Sequence, residues 1–265
     1  MKILVVGAST FLGGPLAESL ATAGHEISVL HPDPRRVDST WFRRFQCHFG
    51  PCREGHVLHE ALQGVERVVA CLAAAGQGEL EETRDLAQAA KLHSVGSLVK
   101  LSTPAPLRNA AWNPMRVRRH ADQILDGSEA SSCVAEVGWI GESLRSLTRR
   151  QTLWLPHPLS CPGRLRWQSQ RMAVQRLSEL VQKDSLPRKV RIQGADHATL
   201  AELSSRLIAE HAGLERVFLP GRCFRWLEKW SPRNAFVGCR LVHGAIESDP
   251  PPPPGSPKED ALEDW

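Results

Sequence analysis

The chain has 265 residues, of which 42% are hydrophobic and 23% are charged, and its net charge is +4. This composition is typical of a soluble globular protein with one large domain, or one domain plus a small appendage. No run of about 18 apolar residues occurs, and the N-terminus enters a strand instead of a signal peptide, so we expect a cytoplasmic protein without a transmembrane segment. Seven cysteines without a Cys-x-x-Cys pair indicate reduced thiols and argue against a disulfide framework.

The N-terminal segment predicts a strand, a glycine turn and a helix. Residues 2–6 form an apolar run, which is typical of a buried parallel strand, and the run ends at Gly7. Leu12, Leu16 and Leu20 recur at helical spacing, so one face of the following helix can close on the strand. Such a unit brings the first amides of a helix against a pyrophosphate, where the helix dipole favours negative charge. The segment therefore predicts a dinucleotide site.

The glycine turn also carries a family resemblance. The spacing Gly7-x5-Gly13 with Phe11-Leu12 resembles the Gly-x-x-Gly-x-x-Gly turn of the atypical and extended short-chain dehydrogenases/reductases, including their NmrA-like NAD(P)-binding branch. Thr10 stands where the family has its middle glycine, so either the turn angle there suits an ordinary residue or the phosphate approach is altered. The alternative is that glycine serves only the direction of the chain. The resemblance implies a cofactor contact at Gly7, Ser9, Thr10, Phe11, Leu12 and Gly13.

The second predicted strand, residues 25–30, leads to a loop that sets the choice of cofactor. In dinucleotide folds an acidic residue at this point binds the 2′-hydroxyl of NAD(H), whereas cations accommodate the 2′-phosphate of NADP(H). His31 follows the strand directly and Arg35 and Arg36 come soon after, so we expect NADP(H). Asp33 keeps NAD(H) open, because a small shift of the loop brings its carboxylate into this place. The alternative is that the arginines are merely exposed on a turn.

Residues 45–51 predict the third strand, and residues 57–62 predict a short helix after it. This passage resembles the Gly-Asp strand end of the family, but Pro51 takes the place of the aspartate. That acid ordinarily hydrogen-bonds adenine in the family. The resemblance therefore leaves adenine without its usual partner in this chain.

The same stretch is rich in cysteine and histidine, whose side chains bind zinc, so a metal site has to be considered. Zinc requires four donors that converge tetrahedrally, whereas successive residues of a strand point to opposite faces of the sheet. Neighbouring donors in the third strand therefore do not share a metal, and we expect no metal cofactor. The donors are Cys47, His48, Cys52, His56 and His59.

Residues 67–76 predict a fourth strand that ends in small residues, and the resemblance implies that Leu72 and Ala73 line the cofactor there. A helix over 82–91 and a strand over 98–103 follow, and both keep the spacing of the family. Alternating strands and helices with short links predict an α/β fold, a Rossmann-like doubly wound parallel sheet. Ligands collect at the carboxyl ends of the strands in such a sheet.

The resemblance places the chemistry of the family just beyond the fifth strand. In a hydride-transferring member a tyrosine moves the proton, and a lysine four residues later lowers the pKa of that tyrosine and holds the nicotinamide ribose. Pro114 and Arg118 take these two places here, or Met115 and Arg119 in a register one residue along. The chain has no tyrosine at all, so the usual reductase mechanism is excluded. The remaining catalytic candidates are Ser102, Thr103 and His120, and Arg118 remains a candidate ribose contact.

Residues 132–140 predict the sixth strand, where Glu136 reverses the charge of an arginine that the family carries. The dinucleotide-binding core is therefore predicted to span 1–146. Residues 147–245 predict a smaller C-terminal α+β cap packed on that core. Its elements are short strands over 152–156 and 163–167, a helix from Met172, a helix that begins at the Thr199-x-x-Glu202 capping box, and an aromatic and basic helix over 220–230.

The end of the chain, residues 246–265, predicts a Pro-rich acidic disordered tail. From Glu247 onward it holds six acidic residues and one lysine, which leaves the tail at −5 and the remainder at +9. A basic body suits an anionic ligand or an acidic partner, and the alternative is a solvated surface partly neutralised by the tail. No recognised nucleic-acid-binding module accompanies the arginines and tryptophans of 220–230, so we expect no specific nucleic acid partner.

Two functions from different classes fit these observations. In the first, the fold serves a NAD(P)-binding sensor, regulator or assembly factor without redox chemistry. In the second, the same pocket serves an oxidoreductase, isomerase or dehydratase that uses other acid–base groups on a small molecule. We favour the first, because the scaffold is kept whereas Thr10, Pro51, Glu136 and the tyrosine place all depart from the family. In both, the cap and the basic surface are left for a small-molecule or protein partner.

Overall fold

The computed structural model describes residues 1–36, 40–72, 77–103, 113–126, 131–143, 148–149, 152–156, 164–210 and 215–219. Across these ranges the chain forms thirteen strands and six α-helices. The strands are β1 Lys2–Val6, β2 Glu26–His31, β3 Gln46–Phe49, β4 Arg67–Ala70, β5 Ser97–Ser102, β6 Ser131–Val137, β7 Trp139–Ile140, β8 Thr148–Arg149, β9 Thr152–Pro156, β10 Arg164–Gln168, β11 Lys189–Ile192, β12 Asp196–Thr199 and β13 Glu215–Leu219. The helices are α1 Gly13–Thr22, α2 Gly55–Ala61, α3 Gln77–Leu92, α4 Asn113–Asp126, α5 Gln170–Val181 and α6 Leu200–Glu210.

Seven of the strands form one parallel sheet in the order β11-β6-β5-β4-β1-β2-β3. The predicted Rossmann-like α/β fold is thereby confirmed. The strand order reverses between β1 and β4, and open α/β sheets bind ligands beside such a reversal, at the carboxyl ends of the strands. The glycine turn after β1 lies at this point, because the N–H of Cys71, just after β4, donates to the carbonyl of Val6 at 2.9 Å.

A hydrophobic core covers each face of this sheet. On one face the helices α1 and α5 close over β1, β2 and β6, and Leu16, Leu20 and Leu177 are fully buried there. On the other face α2, α3 and α4 supply Leu58, Leu86 and Leu125. Because each strand is covered on both faces, the β-branched runs predicted from the sequence form the centre of the molecule.

The segment predicted as a cap contributes to the main layers as well as to two small sheets. The strand β11 extends the large sheet beside β6, and α5 packs on α1. The small sheets have the orders β12-β10-β7 and β13-β9-β8. The predicted capping box is present at the start of α6, where the N–H of Glu202 donates to Thr199 Oγ1 at 3.2 Å and the N–H of Thr199 donates to Glu202 Oε2 at 2.7 Å.

Two details differ from the sequence-based expectations. Trp139 and Ile140 were expected to end the sixth strand, but they pair with β10 instead, because β6 leaves the large sheet at Gly138, whose N–H donates to the carbonyl of Ile192 at 2.8 Å. The loop after β2 contains two 3-10 turns, Pro34–Arg36 and Trp41–Arg43. The predicted helix over 220–230 and the predicted tail over 246–265 lie outside the described residues. Among the helices described, none is both long and apolar enough to cross a membrane.

Candidate functional site

The turn between β1 and α1 brings two stretches of backbone so close that only glycine fits. Gly7 has a φ of +77°, and a Cβ at this position would lie 2.2 Å from the carbonyl oxygen of Cys71. A Cβ on Gly13 would lie 2.4 Å from the carbonyl oxygen of Gly7. Both glycines are therefore required by the fold of the turn itself. Because neither has a side chain, the turn carries no side-chain bulk at these two positions.

Thr10, at the middle-glycine position of the family, serves as a cap for α1. Its N–H donates to the carbonyl of Gly7 at 2.9 Å, and its Oγ1 accepts from the N–H of Gly13 at 3.1 Å. The side chain is thus directed into the turn. Within the ranges described, the N–H groups of Phe11 and Leu12 have no acceptor. These two amides at the start of α1 fit an anionic group such as a phosphate.

His31 is the last residue of β2 and is buried, with only 3% of its surface exposed. Its Nε2 is hydrogen-bonded to Oγ of Ser9 in the glycine turn, and its Nδ1 lies 3.0 Å from the N and 2.7 Å from the O of Asp33. The imidazole therefore ties the glycine turn to the loop after β2. The sequence analysis expected His31 at the adenosine ribose, and in the structure the exposed member of this pair is Ser9.

Asp33 and Arg35 form an exposed ion pair next to His31. Arg35 Nε donates to Asp33 Oδ1 at 3.0 Å, and Nη2 donates to Oδ2 at 3.2 Å, with the arginine side chain 88% exposed. Arg35, which is expected to meet a 2′-phosphate, is thus paired with Asp33, the acidic residue that would instead favour NAD(H). Arg36 closes the same 3-10 turn, and its side chain lies outside the described residues.

A buried cluster of four charges lies between β5 and the helices α3 and α4. Lys100, with 1% of its surface exposed, donates from Nζ to Glu79 Oε1 at 2.8 Å and to Asp122 Oδ1 at 2.7 Å. Arg118 Nε donates to both carboxylate oxygens of Glu79 at 2.9 Å. We call these four residues the ion cluster. Its two cations and two carboxylates compensate each other, which buried charges require.

Ser102 has its hydroxyl committed to the ion cluster. Its Oγ donates to Asp122 Oδ2 at 2.6 Å, because Ser102 and Lys100 are two residues apart and share one face of β5. Burial raises the pKa of the Asp122 carboxyl, and the charge of Lys100 and the hydrogen bonds from both residues act in the opposite direction. The sequence analysis listed Ser102 as a catalytic candidate, and the structure gives its hydroxyl a structural partner.

The other residues predicted near the reaction centre have separate surroundings. Arg118, at the lysine place of the family, has its Nε on Glu79. Thr103 is buried after the end of β5, and His120 is exposed on α4. The ion cluster thus holds Arg118 of α4 through Glu79 and Ser102 of β5 through Asp122.

The end of β4 supplies an apolar border to the turn. Leu72 is half-buried and packs against the core on the α2 side, and Ala73 lies outside the described residues. Cys71 is buried, and desolvation raises the pKa of its thiol to about 12. This thiol stays protonated near neutrality, so it is no nucleophile.

An aromatic pair formed by the turn before β3 and the end of β3 has no counterpart among the site residues predicted from the sequence. Phe42 and Phe49 have ring centroids 5.5 Å apart, and Phe42 is 51% exposed. A carboxylate also lies near the end of β3, although Pro51 replaces the aspartate of the family. Glu54 comes three residues after Pro51, and its Oε2 lies 3.1 Å from where a Cβ of Gly50 would stand. The density of aromatic residues over 41–49 was the available signal.

Two further expectations concern charge and metal. Glu136 is buried, and its carboxylate meets Lys189 Nζ at 2.7 Å and Arg191 Nε at 3.3 Å, so β11 compensates the reversed charge. Cys47 packs with the core on the α1 side whereas His48 lies against Glu60 of α2, which confirms that the two donors point to opposite faces. No group of three or more metal-ligating side chains occurs in the described part of the chain.

Several solved enzyme structures resemble this fold. A nucleoside-diphosphate-sugar epimerase from Staphylococcus aureus matches with a TM-score of 0.74 at 15% identity, over 94% of this chain and 93% of that protein. An NADPH-dependent quinone oxidoreductase from Escherichia coli, complexed with NADPH, has a TM-score of 0.71 at 17% identity, over 93% and 90%. A triphenylmethane reductase from Citrobacter sp., complexed with NADP(H), has a TM-score of 0.70 at 13% identity, over 92% and 90%.

No protein-family sequence model matches the chain, and no curated protein sequence is significantly similar to it. At such low identity the structural likeness establishes the fold. The chain therefore has the Rossmann-like α/β fold that these proteins share, which agrees with the fold expected from the resemblance noted in the sequence.

Proposed function

We propose that this chain is an atypical, NmrA-like member of the short-chain dehydrogenases/reductases that binds a nicotinamide dinucleotide and acts without redox chemistry, as a sensor, regulator or assembly factor. One contrast supports this proposal best. The amides of Phe11 and Leu12 at the start of α1 have no acceptor in the described structure, whereas the hydroxyl of Ser102 and the Nε of Arg118 are both committed to the ion cluster. The proposed site thus keeps backbone amides that can bind a phosphate and lacks the usual side chain for proton transfer.

The residues around the glycine turn fit a dinucleotide. The amides of Phe11 and Leu12 would hold the pyrophosphate, and the absence of a Cβ at Gly7 and Gly13 lets the backbone approach it. Ser9 is exposed in the glycine turn and its hydroxyl contacts His31 at the end of β2, where the adenosine ribose binds in such folds. A bound nicotinamide would supply a hydride donor or acceptor, and the protein would then have to supply the proton.

NADP(H) is the dinucleotide that we favour. Arg35 is exposed on the loop after β2, Arg36 follows it, and the body of the chain is basic, all of which suit a 2′-phosphate. The quinone oxidoreductase and triphenylmethane reductase of similar fold are complexed with NADPH and NADP(H). Asp33 opposes this preference, because its carboxylate lies between the arginine and the end of β2 in sequence and would repel the phosphate.

The non-redox part of the proposal depends on proton transfer. The chain has no tyrosine, and proline and methionine at the corresponding places of α4 carry no transferable proton. Arg118 is a permanent cation and cannot relay a proton. The hydroxyl of Ser102 already donates to Asp122, so its use as an acid would require the buried carboxylate to lose that partner. We therefore favour binding without turnover, carried out in the cytoplasm with a partner recruited through the basic surface or the C-terminal portion.

Calorimetric titration of the purified protein with NADPH and NADH tests the binding part of this proposal. We expect submillimolar binding of NADPH and weaker binding of NADH. Replacing Arg35 with alanine should narrow the gap between the two, and Arg171→Ala, which removes an exposed arginine of α5, is the matched control that should leave it unchanged. If the wild-type protein bound neither nucleotide, dinucleotide binding would be wrong and only a scaffold role would remain.

A further inference from the structure

Four aromatic residues near β3 divide into an inward and an outward pair. Trp41 and Phe45 pack edge to face with ring centroids 5.5 Å apart and belong to the core under α1. Phe42 and Phe49 form the outward pair, with ring centroids 5.5 Å apart and an angle of 36° between the rings. Phe42 is 51% exposed, so water covers about half of a large apolar side chain. Such a ring is free to receive another flat group.

The outward pair lies on the adenosine side of the cleft. Phe49 is the last residue of β3 and pairs in register with His31, the last residue of β2. The N–H of Gly50 donates to the carbonyl of His31 at 3.1 Å, which joins the two strand ends. His31 in turn contacts Ser9 of the glycine turn. The exposed ring of Phe42 is therefore one strand beyond the point where the ribose of a dinucleotide would lie.

Phe42 lies in a short turn whose neighbouring residues contact α1. The short turn that carries it is closed by hydrogen bonds from the N–H groups of Arg44 and Phe45 to the carbonyl of Trp41, at 3.0 and 2.8 Å. The ring of Trp41 rests on the first turn of α1, 3.0 Å from where a Cβ of Gly14 would stand. Arg44 is also paired with Glu18 of α1. The turn that carries the phenyl ring is thus joined to α1 on both sides of Phe42, and such preorganisation of the backbone lowers the entropic cost of binding.

We propose that Phe42, backed by Phe49, is the platform on which the adenine of the dinucleotide stacks, an inference that rests on the function proposed above. The proposal explains how a purine is held although Pro51 replaces the aspartate that hydrogen-bonds adenine in the resembling family. Stacking needs only the π-face of the base and no partner for its polar edge. Continuity with the glycine turn, through His31 and the end of β3, favours a nucleotide base over a protein side chain as the occupant.

Three ligands separate adenine recognition from dinucleotide binding as a whole. NADPH contains both halves, adenosine 2′,5′-bisphosphate contains the adenine half alone, and nicotinamide mononucleotide lacks adenine. The variants are Phe42→Ala, which removes the ring, Phe42→Trp, which keeps an aromatic face, and Leu92→Ala, a control that truncates another exposed apolar side chain at the end of α3. Thermal unfolding of each variant verifies that the half-exposed position tolerates the change.

Phe42→Ala should weaken NADPH and adenosine 2′,5′-bisphosphate by the same factor, about fivefold to about 100-fold. Phe42→Trp should retain wild-type affinity for both ligands, and Leu92→Ala should change neither. The affinity for nicotinamide mononucleotide should be the same in wild type and Phe42→Ala. If the wild-type protein bound NADPH and Phe42→Ala bound it equally well, stacking on Phe42 would be refuted while the proposed function stood. If the wild-type protein bound no dinucleotide, both would be refuted together.

Discussion

The two parts of the proposed dinucleotide site are built from different kinds of interaction. On the adenosine side, from β1 to β3, the site consists of backbone amides, glycines, a buried histidine and exposed aromatic and charged side chains. On the nicotinamide side, around β5 and α4, the polar groups form the ion cluster and satisfy one another. Atoms that have no partner inside the protein are available to a ligand, whereas paired and buried atoms are not. This contrast is the basis for the proposal of dinucleotide binding without proton transfer.

Removing one carboxylate from the ion cluster should have the largest effect on stability. Glu79→Ala leaves Lys100 and Arg118 buried without their shared partner, so we expect a loss of about 3–5 kcal/mol in the free energy of unfolding. Urea denaturation measures this loss. Gln88→Ala, which truncates an exposed polar side chain on the same helix, is the control and should change stability by less than about 0.5 kcal/mol. Equal effects of the two variants would show that the cluster is not the structural unit described here.

Replacing a glycine with alanine compares the turn after β1, which holds Gly7, with the end of α1, which is followed by Gly24. Gly24 has a φ of +88° and an added Cβ would meet nothing within 4 Å, so Gly24→Ala should cost only the backbone strain. That strain is about 1–2 kcal/mol. Gly7→Ala adds a clash with the carbonyl of Cys71 and should cost clearly more, with loss of NADPH binding. Thermal unfolding and calorimetry of both variants check this ranking, and equal stability losses would argue against the close approach at Gly7.

The pH dependence of stability probes Asp122. Burial raises the pKa of this carboxyl in the folded protein. Its stabilising contribution is therefore complete below the pKa of an unfolded aspartate, about 3.9, and declines as the pH rises through the raised folded value. Asp122→Asn cannot titrate, so its stability relative to wild type should improve as the pH rises across this window. Urea unfolding of both proteins at a series of pH values measures the difference, and a pH-independent difference would contradict the raised pKa.

The smallest effect is expected at the exposed ion pair after β2. Arg35→Ala removes one cation that is already paired with Asp33, so NADPH affinity should fall by only about threefold to tenfold. NADH affinity should not fall, because that ligand has no 2′-phosphate. Asp33→Ala should have the opposite effect and improve NADPH binding. Parallel titrations of both ligands check these signs, and an equal loss for NADH and NADPH would show that Arg35 does not face the 2′-position.

The sequence was sufficient for the scaffold because local patterns specify it. Residues 2–20 carry a strand, a glycine turn and a helical face within one short segment, and the structure has all three. The sequence does not predict the strand β11, because two of its four residues are exposed cations and the segment shows no apolar run. A strand of this kind is specified by its neighbour β6 and not by its own composition.

Long-range contacts explain why the candidate site was predicted less completely. Alternation along β5 places Lys100 and Ser102 on one face, which the sequence does show. Their partners Glu79 and Asp122 come from two separate helices, and no local pattern joins them. The position of His31 after the strand predicts a ribose contact, whereas its Nε2 is hydrogen-bonded to Ser9, 22 residues earlier in the chain. The sequence thus predicts which polar residues occur near a site better than it predicts which partners their side chains contact.

The central claim, binding without hydride transfer, is tested most directly by a turnover measurement on the bound complex. Protein saturated with NADPH is mixed with a broad panel of carbonyl and quinone acceptors, and the absorbance of the reduced nicotinamide is followed against a protein-free control. We predict that NADPH binds and stays reduced at the rate of the control. Acceptor-dependent oxidation by the wild-type protein, at rates well above the control, would contradict the account and identify the chain as a reductase.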